Sequence, residues 1–260
     1  ALYEKIGPGL SNYNRYDLKI SDIANHWLQE KAEHPQEKPW VLFVGLVAPH
    51  MPLVVPQQYL DLYLNQDIRL PKLLPRDGYI RHPWVERMKQ HWDHDAALGT
   101  DARRELARRC YFGLVSFMDA QVGRILTALQ AHGLSEDTTV VYTSDHGDNL
   151  GARDLWNKST LYRESTSVPL IVAGPGIAQG TTCRTNTSLV DIYPTALDAC
   201  SIALVPEEAD LPGSSLLALA DAPDDPARIG FSEYHAVGSE SAAYMLARDG
   251  FKYHHYVGHP

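Results

Sequence analysis

The sequence predicts a layered α/β fold, with helices packed on a mainly parallel sheet and a small antiparallel sheet beginning near its C-terminal end. Strand-like and helix-like segments alternate up to about residue 200, the pattern of parallel strands joined by helices. Two runs, Trp40 to Val47 (WVLFVGLV) and Val168 to Ala173 (VPLIVA), are continuously apolar, as strands covered on both faces are. From Ile229 onward, the short runs IGFSEY, AAYMLA and FKYHHYV suit antiparallel pairing. Residues 1–205 are read as the α/β/α body and 206–260 as the opening of a C-terminal subdomain.

Taken in order, the stretch Asp17 to Ala32 carries Ile20, Ile23, Ala24, Trp27 and Leu28 at helical spacing, and Pro35 and Pro39 end it. The apolar run Trp40 to Val47 stops at Ala48-Pro49-His50-Met51-Pro52, where two prolines prevent regular structure from continuing. Residues 65 to 100 are polar, proline-spotted and His-rich, and read as a surface excursion. Asp101 to His132 is a long helix with Leu114, Phe117, Met118, Val122, Ile125, Leu126 and Leu129 on one face and Gly133 as its C-cap. Thr138 to Thr143 is a strand running into Ser144-Asp145-His146-Gly147-Asp148, and Ser188 to Cys200 is a short helix.

Bulk properties narrow the function. The 260 residues are 44% hydrophobic and 21% charged, ordinary for a globular chain able to bury a substantial core. A net charge of -9 disfavours a nucleic-acid partner, because an acidic surface repels phosphate backbones. It leaves room for a small anionic substrate in a locally positive cleft. No apolar run approaches the ~20 residues that span a bilayer, so no membrane partner is expected. Cys110, Cys183 and Cys200 form no CxxC pair and no zinc pattern, and read as small buried residues rather than a disulfide framework. Cytoplasm and periplasm both stay open, with a lean towards the reducing compartment.

In parallel sheets, sites form outside the carboxyl ends of strands, and the chemically unusual residues lie there. Asp145 and His146, a carboxylate and an imidazole on one turn, can bind a divalent metal. A turn aspartate with a surface histidine beside it fits the same residues. Lys158, in Leu155-Trp156-Asn157-Lys158, is a compact charge suited to a tetrahedral oxyanion, and Arg153 is a second cation nearby. Taken alone, a lysine or arginine is far more commonly a solvated surface cation. His50, stiffened between prolines, is placed to donate to a substrate oxygen or protonate a leaving alkoxide, or else to serve as a hydrogen-bonded loop residue. His91 and His94 form an HxxH pair in an irregular segment and are not read as ligands, while His254, His255 and His259 are placed on strand edges.

Taken together, these segments resemble the sulfatase branch of the alkaline phosphatase superfamily, in particular bacterial choline-sulfatase-like proteins. The resemblance rests on WVLFVGLVAPHMPLVVPQQYLDLY, on YTSDHGDNLGARDLWNKSTLYRESTSVPLIVAGPG, on SLVDIYPTALDAC and LPGSSL, and on SEYHAVGSESAAYMLARDGFKYHHYV, in the right order over nearly the whole chain. It implies an alkaline-phosphatase-like α/β/α domain that hydrolyses a sulfate ester. Asp145 and His146 would bind one divalent metal, usually calcium in the family, although an imidazole ligand suits manganese or zinc better. Lys158 would contact the sulfate, and His50 would contact the ester or assist the leaving group. Arg153 matches the choline-sulfatase-like members, where many arylsulfatases carry histidine. Relatives form dimers or tetramers, so a homo-oligomer is compatible with the resemblance.

The sequence also departs from the pattern. The family's nucleophile is a formylglycine made from the cysteine of a Cys-x-Pro-Ser-Arg motif, and none of the three cysteines here is followed by Pro-Ser-Arg. No strand with paired aspartates precedes residue 17. The nucleophile and further metal ligands are therefore expected upstream, and the chain alone is expected to be inactive. Related readings are a phosphonate monoester or phosphodiester hydrolase of the same superfamily, a two-zinc phosphatase or phosphomutase with Ser or Thr as nucleophile, and a catalytically inactive anion-binding relative. The substrate's alcohol is not legible, and the residues identify no aromatic cage for a quaternary ammonium.

Overall fold

A computed structural model describes residues 5–68 and 70–259. Helices α1 (Asn12–Glu33), α2 (Gln57–Leu64), α3 (Pro83–His91), α4 (His94–Leu98) and α5 (Asp101–Ala131) occupy the first half, with the short strands β1 (Gly7–Pro8) and β2 (Val54–Val55) between them. There follow β3 (Val140–Thr143), α6 (Arg163–Thr166), β4 (Leu170–Ala173), α7 (Ile192–Ala199) and α8 (Leu216–Asp221). Strands β5 (Gly230–Tyr234), β6 (Ala243–Arg248) and β7 (Phe251–Tyr256) complete the chain.

The long helices begin and end where local chemistry requires. Ser11 caps α1 in a reciprocal capping box with Asn14, satisfying two backbone donors that the first turn would otherwise leave bare. Thr100 caps α5, and Gly133, at φ 72, follows its last turn and donates to Gln130 O at 3.0 Å. By length and composition alone α5 could cross a bilayer. Here it is a core helix, packed on α1 and α2, with Leu114 and Phe117 almost fully buried.

The β-pairing differs from the sequence reading. β1 and β2 pair in parallel over two residues, whereas β3 and β4 pair antiparallel from Val140 opposite Ala173 to Thr143 opposite Leu170. The expected mainly parallel sheet is therefore not present as ladders among the described residues. Trp40 to Val47 belongs to no strand, and its alternate residues Val41 and Phe43 are 67% and 90% exposed. One side of the run packs inward, with Leu46 on the apolar core and Trp40 against Trp27, while the other side is left exposed. The C-terminal sheet forms as expected, with β5–β6–β7 antiparallel throughout.

Residues 65 to 100 also depart from expectation. They form α3 and α4, and Trp84, Val85, Met88 and Leu98 are buried there. Two apolar clusters result. One joins Ala48, Met51 and Leu53 of the proline turn to α5 and to Trp156. The other joins α3 to Leu155, Leu161 and the inner face of the C-terminal sheet. Of the cysteines, Cys110 is buried, while Cys183 is exposed and Cys200 partly so; all three are free thiols.

Candidate active site

The site is assembled from two loops held by buried polar groups. The first is the proline turn. Asp17 on α1 is fully buried and accepts from Val47 N at 2.7 Å and Ala48 N at 2.9 Å. Burial raises its pKa, partly offset by those two bonds. The carboxylate thus ties α1 to the backbone just before His50. His50 Nδ1 lies 2.7 Å from Met51 O. A carbonyl only accepts, so Nδ1 carries the hydrogen and Nε2 the lone pair.

The second loop runs from β3 through Ser159. Gly147 is pressed against α6: its N–H donates to Ser165 O at 2.8 Å, and an added Cβ would lie 2.1 Å from Glu164 O. No other residue fits there without moving backbone. Beyond it, Leu150, Arg153, Asp154, Asn157 and Ser159 all adopt positive φ. Such a concentration of left-handed backbone is sustained only by surrounding structure. Leu155 enters one apolar cluster and Trp156 the other, so this dipeptide anchors the loop to both.

Lys158 Nζ then lies 3.2 Å from His50 Nε2, joining residues 108 apart in sequence. Lys158, Asp145 and His146 all line one cavity of about 880 Å³, a volume suited to a small molecule. Trp92, Phe231, Glu233 and Tyr234 line it too, so the C-terminal sheet contributes to its wall.

Asp145 and His146 sit at the mouth, with side chains 81% and 33% exposed. His146 Nδ1 lies 2.9 Å from Gly147 O, which leaves Nε2 free to ligate, and Nε2 stands 3.4 Å from Asp145 Oδ2. Two ligands each about 2.0–2.2 Å from a shared cation would stand roughly 3 Å apart. The pair therefore fits a divalent metal as two of its donors. Among the described residues no group of three or more His, Cys, Asp and Glu converges to complete a shell.

Arg153 is not gathered into this cavity. Its guanidinium pairs with Glu164 at 3.0 Å and lies over the Tyr162 ring at 4.0 Å, in a buried position beside Tyr79. The histidines set aside in the sequence behave variously. His94 lines the cavity, and burial lowers its pKa against the pull of Asp93, while His259 meets Glu240 at 2.6 Å.

Sequence reasoning missed the buried polar supports. Asp148 accepts from Leu150 N and Asn157 N, and burial raises its pKa despite those bonds and the nearby His146 and Lys158. Asn149 is 2% exposed. Asp95 takes both Arg104 Nε and a second guanidinium nitrogen, at 2.8 and 2.7 Å, and accepts from Trp156 Nε1 at 2.9 Å. No periodic pattern marks these residues: the Asp148 bonds stay within one irregular loop, and Asp95 meets Trp156 across 61 positions.

Asp95 yields a pH prediction. Desolvation raises its pKa, but the Arg104 and Trp156 hydrogen bonds and the charges of Arg104 and Lys89 outweigh it, so the folded value is lowered. A depressed carboxylate stabilises the fold above its unfolded pKa of about 3.9, and that contribution is lost as pH falls through the folded value. Asp95→Asn is expected to cost about 2 kcal/mol at pH 7. In urea titrations the gap from the parent should shrink at pH 3.

Comparison with known proteins identifies the family. The sulfatase family model matches residues 3–202. The chain is 30% identical over 249 residues to choline-sulfatase from Rhizobium meliloti (strain 1021), covering 94% of this chain and 48% of that protein. It is 31% identical over 260 residues to arylsulfatase K from Bos taurus, covering 91% and 46%. Its fold matches the phosphonate monoester hydrolase SpPMH from Silicibacter pomeroyi with a TM-score of 0.74 and 29% identity, over 91% of this chain and 52% of that one. The chain spans about half the length of the curated relatives it matches. With the layered α/β fold shared and a family match over most of its length, this chain belongs to the sulfatase family.

Proposed function

We propose that the whole protein hydrolyses a small-molecule sulfate ester, with these 260 residues supplying the sulfuryl pocket and part of a metal site. The observation that carries the reading is the Lys158–His50 contact beside a cavity that Asp145 and His146 share. A divalent metal, calcium or else manganese or zinc, would be held by Asp145 and His146 together with ligands from elsewhere. When bound, it would polarise ester oxygens and lower the nucleophile's pKa.

The chain's own residues do the rest. The Lys158 ammonium sits where a sulfuryl oxygen can replace His50 as its acceptor, offsetting charge that builds on that oxygen in the transition state. His50, held by Met51 O through Nδ1–H, presents Nε2 towards Lys158. Once the sulfuryl oxygen has taken the ammonium, a proton acquired at Nε2 from solvent can pass to the leaving alkoxide while Lys158 keeps its charge. Leu155 and Trp156 keep this pair from swinging apart.

The nucleophile in this reading is a formylglycine outside these residues. Cys110 cannot stand in for it: burial pushes its thiol up to about 11, against a small opposing bond from Gly7, which leaves little thiolate at neutral pH. Lys158→Ala in the complete enzyme is expected to lower kcat for an aryl sulfate about 10²–10³-fold. An unchanged kcat would remove Lys158 from the chemistry.

The match to a phosphonate monoester hydrolase supports a second reading, in which the preferred substrate is a phosphonate or phosphate diester. Comparing kcat/KM for an aryl sulfate with that for an aryl phosphonate monoester decides between them, and the first reading requires the sulfate to be favoured.

A further inference from the structure

We infer that Asp148 and Asn149 are positioning residues that hold Lys158 against His50 by locking the neck of the 149–157 loop at Asn157. This rests on the reading of Lys158 as the sulfuryl contact, but it can fail separately from it.

The lock is made at three points on one residue. Asn157 N donates to Asp148 Oδ1 at 3.0 Å. Asn157 O accepts from Asn149 N at 2.9 Å and from Asn149 Nδ2 at 2.6 Å. Lys158 is the next residue, and its own N–H is taken by Asn157 Oδ1 at 2.8 Å. The lock is in turn fixed to α6. Asn149 Nδ2 also donates to Ser165 Oγ at 3.1 Å, and Asn149 Oδ1 accepts from Thr160 Oγ1 at 3.4 Å. Asp148 Oδ1 accepts Leu150 N at 2.8 Å as well, so one oxygen closes both ends of the loop.

Burying an amide and a carboxylate is costly unless every valence is used. Here the polar groups are used on the residue that precedes Lys158. An apolar pair could fill the same space, but it could not define the backbone direction at Asn157 and Ser159, both at positive φ. That direction decides where the Lys158 stem leaves the chain. The role is assigned to the Oδ1 acceptor of Asp148 and the Nδ2 donor of Asn149, and no part of it needs the Asp148 charge.

The test uses the imidazole 15N resonances of His50 in this 260-residue chain. Lys158→Met removes the ammonium from Nε2 and moves that resonance. Asn149→Ala is expected to move it in the same direction, and the double variant no further than Lys158→Met alone. Asp148→Asn, which keeps the Oδ1 acceptor, should leave the resonance in place, while Asp148→Ala should move it. If Asn149→Ala does not fold, Asn149→Ser, which also lacks the Nδ2 donor, carries the same expectation. A His50 resonance unmoved in a folded Asn149 variant would overturn the proposal, as would shifts that simply add.

In the complete enzyme, Asn149→Ala should lower kcat about 10- to 100-fold with KM little changed, as expected for a catalytic group displaced by about an ångström. If Lys158→Ala abolishes turnover and Asn149→Ala does not, the lock fails and the sulfuryl reading stands. If the His50 resonances behave as stated but Lys158→Ala leaves turnover intact, the lock stands and the sulfuryl role fails.

Discussion

Asp145→Ala is expected to weaken divalent-cation binding by more than about 100-fold, because removing even a residue that only orients a ligand costs 10–100-fold. Asp145 is the more exposed partner of the proposed pair. Its Oδ1 is held by His146 N at 2.9 Å, which turns Oδ2 towards His146 Nε2. Truncation therefore removes a charged donor and the element that aims it. His146 alone, as a neutral imidazole, offers little to a hard cation such as calcium and more to manganese or zinc. Calorimetric titration of the parent and the variant with calcium and with manganese measures the loss. A variant that binds either ion as tightly as the parent would place the metal elsewhere.

The largest stability effect is expected at Asp191. This carboxylate is fully buried and accepts four hydrogen bonds: Ser188 N, Ser214 N, and both terminal nitrogens of Arg228, at 3.0 and 2.6 Å. Arg228 also donates to Asn186 O, and its side chain is only 20% exposed. Asp191→Ala would leave that guanidinium and two backbone N–H groups without their acceptor. Breaking a buried pair in this way costs about 3–5 kcal/mol, a large part of the 5–15 kcal/mol that typically stabilises a domain. The denaturation midpoint should fall accordingly. The double variant Asp191→Ala, Arg228→Ala should be less destabilised than the sum of the single changes. The pair ties the residues leading into α7 to those leading into β5, across the division read near residue 205, where the alternation of strand and helix ends.

What the sequence disclosed follows from the range of the interactions involved. Helix α5 and the C-terminal sheet were legible because their signals are local: a 3.6-residue apolar period, a closing glycine, and three short β-prone runs. Helix α3 was hidden because nine residues, four of them charged or histidine, bury only Trp84, Val85 and Met88. Trp40 to Val47 was read as a strand covered on both faces and belongs to no strand, because apolar density alone does not name a partner. At the site, residue types on the tight Asp-His-Gly turn and in the Leu-Trp-x-Lys segment pointed to chemistry. Their assembly was invisible, because His50 meets Lys158 across 108 positions and Asp17 meets Val47 across 30. Arg153 illustrates the converse. Proximity in sequence suggested a substrate contact, whereas its left-handed backbone sends the guanidinium to Glu164 and Tyr162.

In the proposed site, Asp145, His146 and Lys158 line one cavity that would take a metal and an anion, and His50 meets Lys158 beside it. Paramagnetic broadening by manganese added to this chain tests it most directly, since it registers even weak binding to a partial ligand set. The His146 imidazole signal should broaden first, with those of His50 and the Lys158 side chain next, and Asp145→Ala should abolish all three effects. Broadening that centres on the His259–Glu240 pair, or that persists unchanged in Asp145→Ala, would contradict the account.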